Sequence, residues 1–292
     1  MAFTLVAQPE PTTDAAPVRQ RTSPLQLGRM SLAHFVMAVV AIASVFPIVW
    51  LFATAVAPAA AILTGDVFSG SPTLDNLRYV SEAIPLAQMM VNSFLMSVAI
   101  TAAQLIVAVF ASYGFAVFEF PGKKALYLLF IGSWLVPFQV TMIPNYVLIA
   151  QMGMLNSILG IIVPNLCSAF AVIMLRQHMR GIPRELLEAS TIDGRSSWGT
   201  LWLVVVPNLK AALSSLAVIL FISAWNEYLW PVLVMQQETS VIQVGIRSFL
   251  SAEGNNWGAV MAASGIACLP VFLLYVLLQR QVVDGFVRSG LK

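Results

Sequence analysis

Charged residues are scarce in this sequence. Of its 292 residues, 59% are apolar and only 10% are Asp, Glu, Lys or Arg, against about 25% in an ordinary soluble domain. Much of the surface must therefore face something other than water. The net charge of +2 is also too small, and the basic residues too scattered, for nucleic-acid binding through counterion release. We expect a membrane protein in contact with lipid that binds no nucleic acid.

Cysteine and histidine are equally rare, with two of each. Cys167 and Cys268 lie in apolar stretches and lack CxxC spacing, which argues against a zinc site or a disulfide framework. We expect both to be small, buried packing residues. The sequence predicts no metal site and no catalytic residues, since an intramembrane enzyme would need paired carboxylates or a nucleophile with its base at depth.

The phosphate-binding loop of ATPases is also missing. That loop needs G, four residues, G, K and then Ser or Thr. The Gly122-Lys123 pair has Val117 in place of the first glycine and Lys124 in place of the hydroxyl residue. The chain therefore cannot hydrolyse ATP by this route, and we expect it to bind no cofactor of its own.

Long apolar runs, by contrast, are abundant. A bilayer core of about 30 Å requires roughly 20 apolar residues in a helix. Six stretches meet this requirement, at 32–56, 90–117, 125–149, 158–175, 211–230 and 259–278. The sequence predicts an all-α membrane protein with six transmembrane helices.

The basic residues indicate how these helices are oriented, because cytoplasmic loops carry the excess of Lys and Arg. With the N-terminus in the cytoplasm, thirteen of the fifteen basic residues fall in inside segments and only Arg78 and Arg247 fall outside. Six spans then return the C-terminus to the cytoplasm. Residues 1–30 contain four prolines and no long apolar run, which predicts a disordered cytoplasmic tail before a permease domain at 31–292.

One inside loop, 176–210, is much longer than the others. Pro183 suits the first position of a helix, and Asp193-Gly194 suits its end. A second short helix is expected to start with Ser196 or Ser197 as N-cap and to run toward Pro207. An alternative is an amphipathic connector that rests on lipid headgroups through Trp198, Leu201 and Trp202.

This loop resembles the EAA loop of ABC importer membrane subunits. The matching residues are Glu188-Ala189-Ser190, then Gly194 at the expected spacing, and Val204 to Pro207 nine residues later. Ser190 departs from the second alanine of the pattern. Four further segments, 72–77, 120–123, 225–231 and 256–262, resemble the carbohydrate-uptake branch, of the maltose permease G type. Within that branch, segments 225–231 and 279–285 most resemble the E-type permease of sn-glycerol-3-phosphate uptake systems.

The resemblance implies a type I ABC importer permease of the bacterial inner membrane, forming half of a pathway for a sugar, polyol or glycerol-phosphate-type solute. It implies a second permease in a heterodimer, two ATP-binding subunits that use ATP and Mg²⁺, and an extracytoplasmic solute-binding protein. It also implies an ATPase-coupling helix. The residues it assigns to coupling are Glu188, Ala189, Ser190, Asp193, Gly194 and Pro207.

Polar residues within the spans are the candidates for the solute pathway. Neutral amides near the prolines of the third and fourth spans suit a hydroxylated solute, and an aromatic, amide and carboxylate run ends the fifth span. The pathway candidates are Gln139, Asn145, Tyr146, Asn165, Trp225, Asn226 and Glu227. Glu227 is equally well explained as a hydrated interfacial carboxylate. A secondary transporter or an intramembrane enzyme remains the alternative function, although no inverted repeat or midplane carboxylate is evident.

Overall fold

The computed structural model describes residues 24–68, 70–236, 239–251 and 254–290, and its regular structure is almost entirely helical. The helices are α1 (Pro24–Ala55), α2 (Ala59–Thr64), α3 (Asp75–Ala83), α4 (Leu86–Val117), α5 (Lys123–Trp134), α6 (Phe138–Gln151), α7 (Ile158–Ile162), α8 (Ala169–Met179), α9 (Arg184–Ile192), α10 (Ser197–Thr200), α11 (Val206–Asn208), α12 (Lys210–Trp225), α13 (Leu229–Val234), α14 (Ile242–Ser248) and α15 (Trp257–Gly290). A 3₁₀ turn, Val163–Asn165, follows α7, and a π-helical turn, Leu201–Val205, joins α10 to α11. Strands β1 (Leu250–Ser251) and β2 (Gly254–Asn255) pair antiparallel.

Three helical segments in the described ranges are long and apolar enough to cross a membrane unbroken: Met30–Ala55, Leu86–Val117 and Trp257–Gln279. Three bent pairs of helices pass the same test when each pair is counted as one span. The chain therefore contains three to six candidate spans. The bent pairs are Lys123–Trp134 with Phe138–Gln151 at 92°, Ile158–Asn165 with Ala169–Met179 at 43°, and Ser197–Asn208 with Lys210–Trp225 at 78°.

At these bends the structure departs from the continuous spans that the sequence predicts. The predicted span 125–149 breaks after Trp134, and Pro137 caps the helix that follows. Proline has no N–H to continue the helical ladder, so it suits such a junction. Pro164 lies in the 3₁₀ turn that precedes the 43° bend. The predicted span 211–230 likewise ends at Trp225, before α13.

The described residues divide into two compact units, 24–49 and 50–290. In the first, α1 begins at Pro24, within the range 1–30 predicted as a tail; residues 1–23 of that range lie outside the described residues. Proline is well suited to the first position of a helix, because its missing N–H would have no partner there. In the second unit, α15 runs to Gly290, so the backbone beyond the predicted sixth span continues as helix.

Within the second unit, α4 contributes to all three clusters of buried residues. Met89 belongs to one cluster, Met96 and Ile100 to the second, and Ala108 to the third. Helix α12 packs against both α4 and α15. These packed helices position the loops that connect them.

Small residues make the close packing of α15 possible. Ala259, Ala262, Ala263 and Ala267 are all at most 4% exposed, and their spacing places them on one face of the helix. In lipid, helices associate through close packing rather than through expulsion of water, which favours such small residues.

Both cysteines are exposed, so the prediction that they are buried is wrong. Cys167 lies between the 3₁₀ turn and α8, and Cys268 follows the buried Ala267 on α15. Apolar neighbours do not predict burial in a chain of this kind, because the lipid-facing surface is as apolar as the core.

Candidate functional site

The predicted helix–turn–helix at 176–210 is present. Helix α9 ends at Ile192, and Gly194 adopts a left-handed conformation with φ of 75°. The N–H of Arg195 donates to the carbonyl of Ser190 at 3.1 Å, and that of Gly194 donates to Thr191 at 3.0 Å. These two hydrogen bonds form a Schellman motif, which glycine favours because it has no Cβ to strain the left-handed backbone.

A buried hydrogen bond joins the two helices of the loop. The Oγ of Ser190 lies 2.8 Å from Oγ1 of Thr200, and the two residues are only 3% and 6% exposed. The serine that replaces alanine in the EAA pattern therefore faces inward and pairs with a second hydroxyl. The Ser190 side chain therefore links α9 to α10 within the loop.

The loop is also anchored to the membrane helices. The hydroxyl of Tyr113, on α4, donates to the carbonyl of Ser197 at 3.0 Å. The Oγ of Ser196 accepts from the N–H of Gly199 at 3.2 Å and so caps α10, as predicted. Leu201 and Val205 of the π-helical turn are each 1% exposed and pack with residues of α4 and α8. These contacts attach the loop to α4 and α8.

The other coupling candidates lie on the surface. Glu188, Ala189, Asp193, Gly194 and Pro207 are all exposed. Glu188 forms no ion pair within the part of the chain that the structure describes. A carboxylate in that state is available to a basic group of another protein.

The aromatic residues of the loop pack against α4. Trp198 stacks on Phe110 with ring centroids 5.6 Å apart, and Trp202 meets Phe110 edge-on at 6.2 Å. Leu201 is in the core, not on the surface. Of the three residues proposed to rest on headgroups, Trp198 and Trp202 retain exposed area.

A polar cavity of about 330 Å³ lies beside the middle of α4. This volume lies near the lower end of the range of small-molecule sites. Its polar lining residues are Gln104, Asn165, Ser168, Ser223 and Glu227, and its aromatic lining residues are Trp134 and Phe170. The described lining carries one carboxylate and no Lys or Arg, so it can donate and accept hydrogen bonds without a positive charge.

Broken helices converge on this polar cavity. Trp134 ends α5, Asn165 ends the 3₁₀ turn, Ser168 caps α8 and Glu227 follows α12. Two hydrogen bonds hold the lining in place: Gln104 Nε2 donates to the carbonyl of Asn165 at 2.8 Å, and Glu227 Oε1 accepts from the N–H of Trp230 at 3.1 Å. Backbone breaks at membrane depth are tolerated where they line a cavity.

Of the predicted pathway residues, the structure places only Asn165 and Glu227 at the polar cavity. The other three on the third and fourth spans, Gln139, Asn145 and Tyr146, lie on α6, beyond the 92° bend, and do not line the polar cavity.

The remaining two candidates, at the end of the fifth span, belong to a different cavity. Trp225 is 2% exposed and stacks on Phe221 at 5.7 Å. Asn226 is exposed, and its Oδ1 accepts from Gln243 at 3.4 Å. Both line a second, mainly apolar cavity of about 510 Å³ between α12, α14 and α15.

Sequence reasoning missed the rest of the lining. Gln104 and Ser223 each lie among several polar residues of an otherwise apolar helix, and nothing along the sequence distinguishes them from the others. Trp134 and Ser168 flank helix breaks, and Pro137 and Pro164 were the signals that could have identified those breaks.

Comparison with known proteins identifies the family that the chain resembles. Residues 104–288 match the family described as binding-protein-dependent transport system inner membrane component. The chain is 31% identical over 257 residues to the lactose transport system permease protein LacG of Rhizobium radiobacter, covering 88% of this chain and 94% of that protein. It is 35% identical over 212 residues to the sn-glycerol-3-phosphate transport system permease protein UgpE of Yersinia pestis, covering 72% and 75%.

A solved structure supports the fold. The chain superimposes on a chain from the crystal structure of a bacterial ABC transporter involved in the import of the acidic polysaccharide alginate, with a TM-score of 0.73. The match covers 88% of this chain and 98% of that one at 20% sequence identity. At that identity the likeness extends to the fold alone.

Proposed function

This chain belongs to the family of inner membrane components of binding-protein-dependent transport systems, and from that membership we propose that it forms half of a solute pathway driven by a separate ATPase. The observation that supports this most strongly is the geometry of the 176–210 loop. It presents Glu188, Ala189 and Gly194 at its surface while Ser190 and Tyr113 hold it rigidly to the rest of the fold. A rigid exposed loop can convert closure of an attached ATPase into movement of membrane helices.

The assignments beyond family membership follow from this proposal. The three unbroken helices, the bent pair α5–α6, the bent pair of Ile158–Asn165 with α8, and α12 after the 176–210 loop each form one span, giving six spans with both termini in the cytoplasm. A second permease completes the pathway as a heterodimer, two ATP-binding subunits supply ATP hydrolysis with Mg²⁺, and an extracytoplasmic binding protein delivers the solute.

The chemistry of the polar cavity favours an uncharged hydroxylated solute. Its amide and hydroxyl groups can satisfy sugar or polyol hydroxyls, and Trp134 and Phe170, whose ring centroids are 6.1 Å apart, offer apolar faces. A glycerol phosphate would require Arg or Lys, and none belongs to the described lining. A sugar or polyol is therefore favoured over a phosphorylated solute at this site.

Co-purification of the ATPase tests the coupling role. Glu188→Lys reverses the charge that the loop offers, so the complex should retain at least tenfold less ATPase while the subunit stays in the membrane. Glu82→Lys, at an exposed position on α3 outside the loop, is the matched control and should retain the wild-type amount. A full complement of ATPase on the Glu188→Lys variant would contradict the assignment.

A further inference from the structure

A third cavity, of about 810 Å³, lies where three membrane helices end. It is bordered by the last turn of α4, the first turns of α5, the end of α8 and the first residue of α9. Because apolar helices end here and charged residues begin, the cavity lies at the boundary between hydrocarbon and water. We name it the basic cavity. Its charged lining residues are Glu119, Lys123, Lys124, Arg176, Arg180 and Arg184.

The basic cavity carries five cations against one carboxylate. That carboxylate is already paired: Lys123 Nζ lies 3.0 Å from Glu119 Oε1 and also donates to the carbonyl of Phe118 at 2.7 Å. The hydrogen bond and charge of Lys123, followed by the charges of Arg184 and Lys124, hold the pKa of Glu119 below its usual value. The direction of this shift is what a positive potential around the cavity produces.

Arg176 is fixed in place. Its guanidinium carbon lies 3.9 Å from the centre of the Tyr127 ring, and its Nε donates to the carbonyl of Phe115 at 3.3 Å. Lys124, Arg180 and Arg184 are exposed and form no ion pair among the described residues. Lys124, Arg180 and Arg184 can therefore bind an anion, and the guanidinium of Arg176 is held in a fixed position beside them.

The remaining walls are apolar. Phe115 and Tyr127 pack together with ring centroids 5.4 Å apart, and Leu128, which is 65% exposed, continues the wall along α5. An apolar wall would contribute nothing to the binding of a free anion from water. A molecule with a negative head and a hydrocarbon tail would match both parts of the cavity.

We propose that the basic cavity binds the phosphate group of an anionic phospholipid, with the acyl chains of that lipid running along Leu128 and the face of α5. Guanidinium and ammonium groups bind phosphate through charge-assisted hydrogen bonds, and basic pockets between membrane helices suit acidic lipid headgroups. Arg180 and Arg184 lie on either side of the junction between α8 and α9. The bound lipid would therefore restrict movement at the start of the 176–210 loop. This site is independent of the solute.

Native mass spectrometry of the purified full chain, mixed with equal amounts of phosphatidylglycerol and phosphatidylcholine, tests the proposal. The wild-type chain should retain phosphatidylglycerol in preference to phosphatidylcholine. Lys124→Gln with Arg180→Gln should reduce that retention roughly 10-fold or more, because each basic residue near a membrane surface contributes to attraction of acidic lipid. Both side chains are exposed, so the fold should survive, and an unchanged thermal midpoint in phosphatidylcholine checks this.

The matched control removes the same number of positive charges at exposed positions outside the cavity. Arg195→Gln with Lys210→Gln should retain phosphatidylglycerol as the wild type does, and Lys124→Arg with Arg180→Lys should do the same because the charges remain. Equal losses in the cavity variant and the Arg195/Lys210 control would overturn the proposal, since attraction would then be non-specific.

Two further arms separate the other possible occupants. Displacement of phosphatidylglycerol by millimolar inorganic phosphate would show a site for a free anion and would overturn the lipid assignment. Loss of bound phosphatidylglycerol when the ATPase assembles on the chain would show that the cavity belongs to the ATPase interface, and would also overturn it. Retention of the lipid in both arms supports the proposal.

Discussion

At the scale of single residues, Gly194 is required for its backbone conformation. Its φ of 75° is costly for most L-residues, whereas a Cβ at this position would meet no atom within 4 Å. The strain is therefore in the backbone, and contact with a partner is a separate requirement that a variant can distinguish.

Gly194→Ala should weaken the turn by about 1 kcal/mol, and Gly194→Asn by less, because Asn tolerates the left-handed region better. Hydrogen exchange of the Gly194 and Arg195 amides measures the difference. If Gly194→Asn keeps amide protection but loses ATPase binding, the loss arises from the partner's close approach. Equal protection in the wild type and Gly194→Ala would contradict the strain argument.

The Ser190–Thr200 pair supports a second prediction. Ser190→Ala leaves the buried hydroxyl of Thr200 without its partner and should cost about 1–2 kcal/mol. The combined Ser190→Ala and Thr200→Val variant removes both polar groups and should recover most of that loss. Thermal unfolding of the two variants beside Thr200→Val alone checks this, and a double variant less stable than Ser190→Ala would contradict it.

At the scale of helices, the break between α5 and α6 decides which polar residues meet. The 92° bend leaves Trp134 at the polar cavity and directs Gln139 elsewhere. Pro137 made a break predictable from the sequence, but its angle depends on the packing of distant helices. For the same reason Gln104 could not be assigned to the site from its neighbours in the chain.

Two glutamines test this distinction. Gln104→Ala removes a lining side chain and its hydrogen bond to Asn165, and should raise the KM for solute uptake roughly three- to tenfold. Gln139→Ala, at an exposed position outside the cavity, should leave the KM unchanged. The reverse result would favour the pathway inferred from the sequence over the cavity in the structure.

The 176–210 loop shows which structural features can be predicted from the sequence. Asp193-Gly194 and Ser196 predicted helix ends correctly, because helix capping is determined by residues within one turn, whereas Pro183, expected at the first position of α9, lies one residue before it. The π-helical turn before Pro207 and the inward direction of Ser190 were not predicted. Both depend on contacts with α4, α8 and α10 that sequence spacing does not reveal.

At the scale of the whole molecule, the positions of the few charged residues bear directly on function. The described residues hold a single ion pair, Lys123–Glu119, and it borders the basic cavity. The polar cavity uses neutral groups and one carboxylate, while the basic residues gather where helices end. Under the proposed function, a partner ATPase supplies the energy for transport, and the loop that carries Glu188 couples it to the membrane helices.

Solute accumulation in proteoliposomes that contain this chain, the second permease, the ATPase and the binding protein tests the central claim most directly. The account predicts that a sugar or polyol accumulates only with ATP on the ATPase side, and that Glu188→Lys abolishes accumulation while Glu82→Lys does not. Accumulation by this chain under an ion gradient, without ATP or the ATPase, would contradict the account and indicate a secondary transporter.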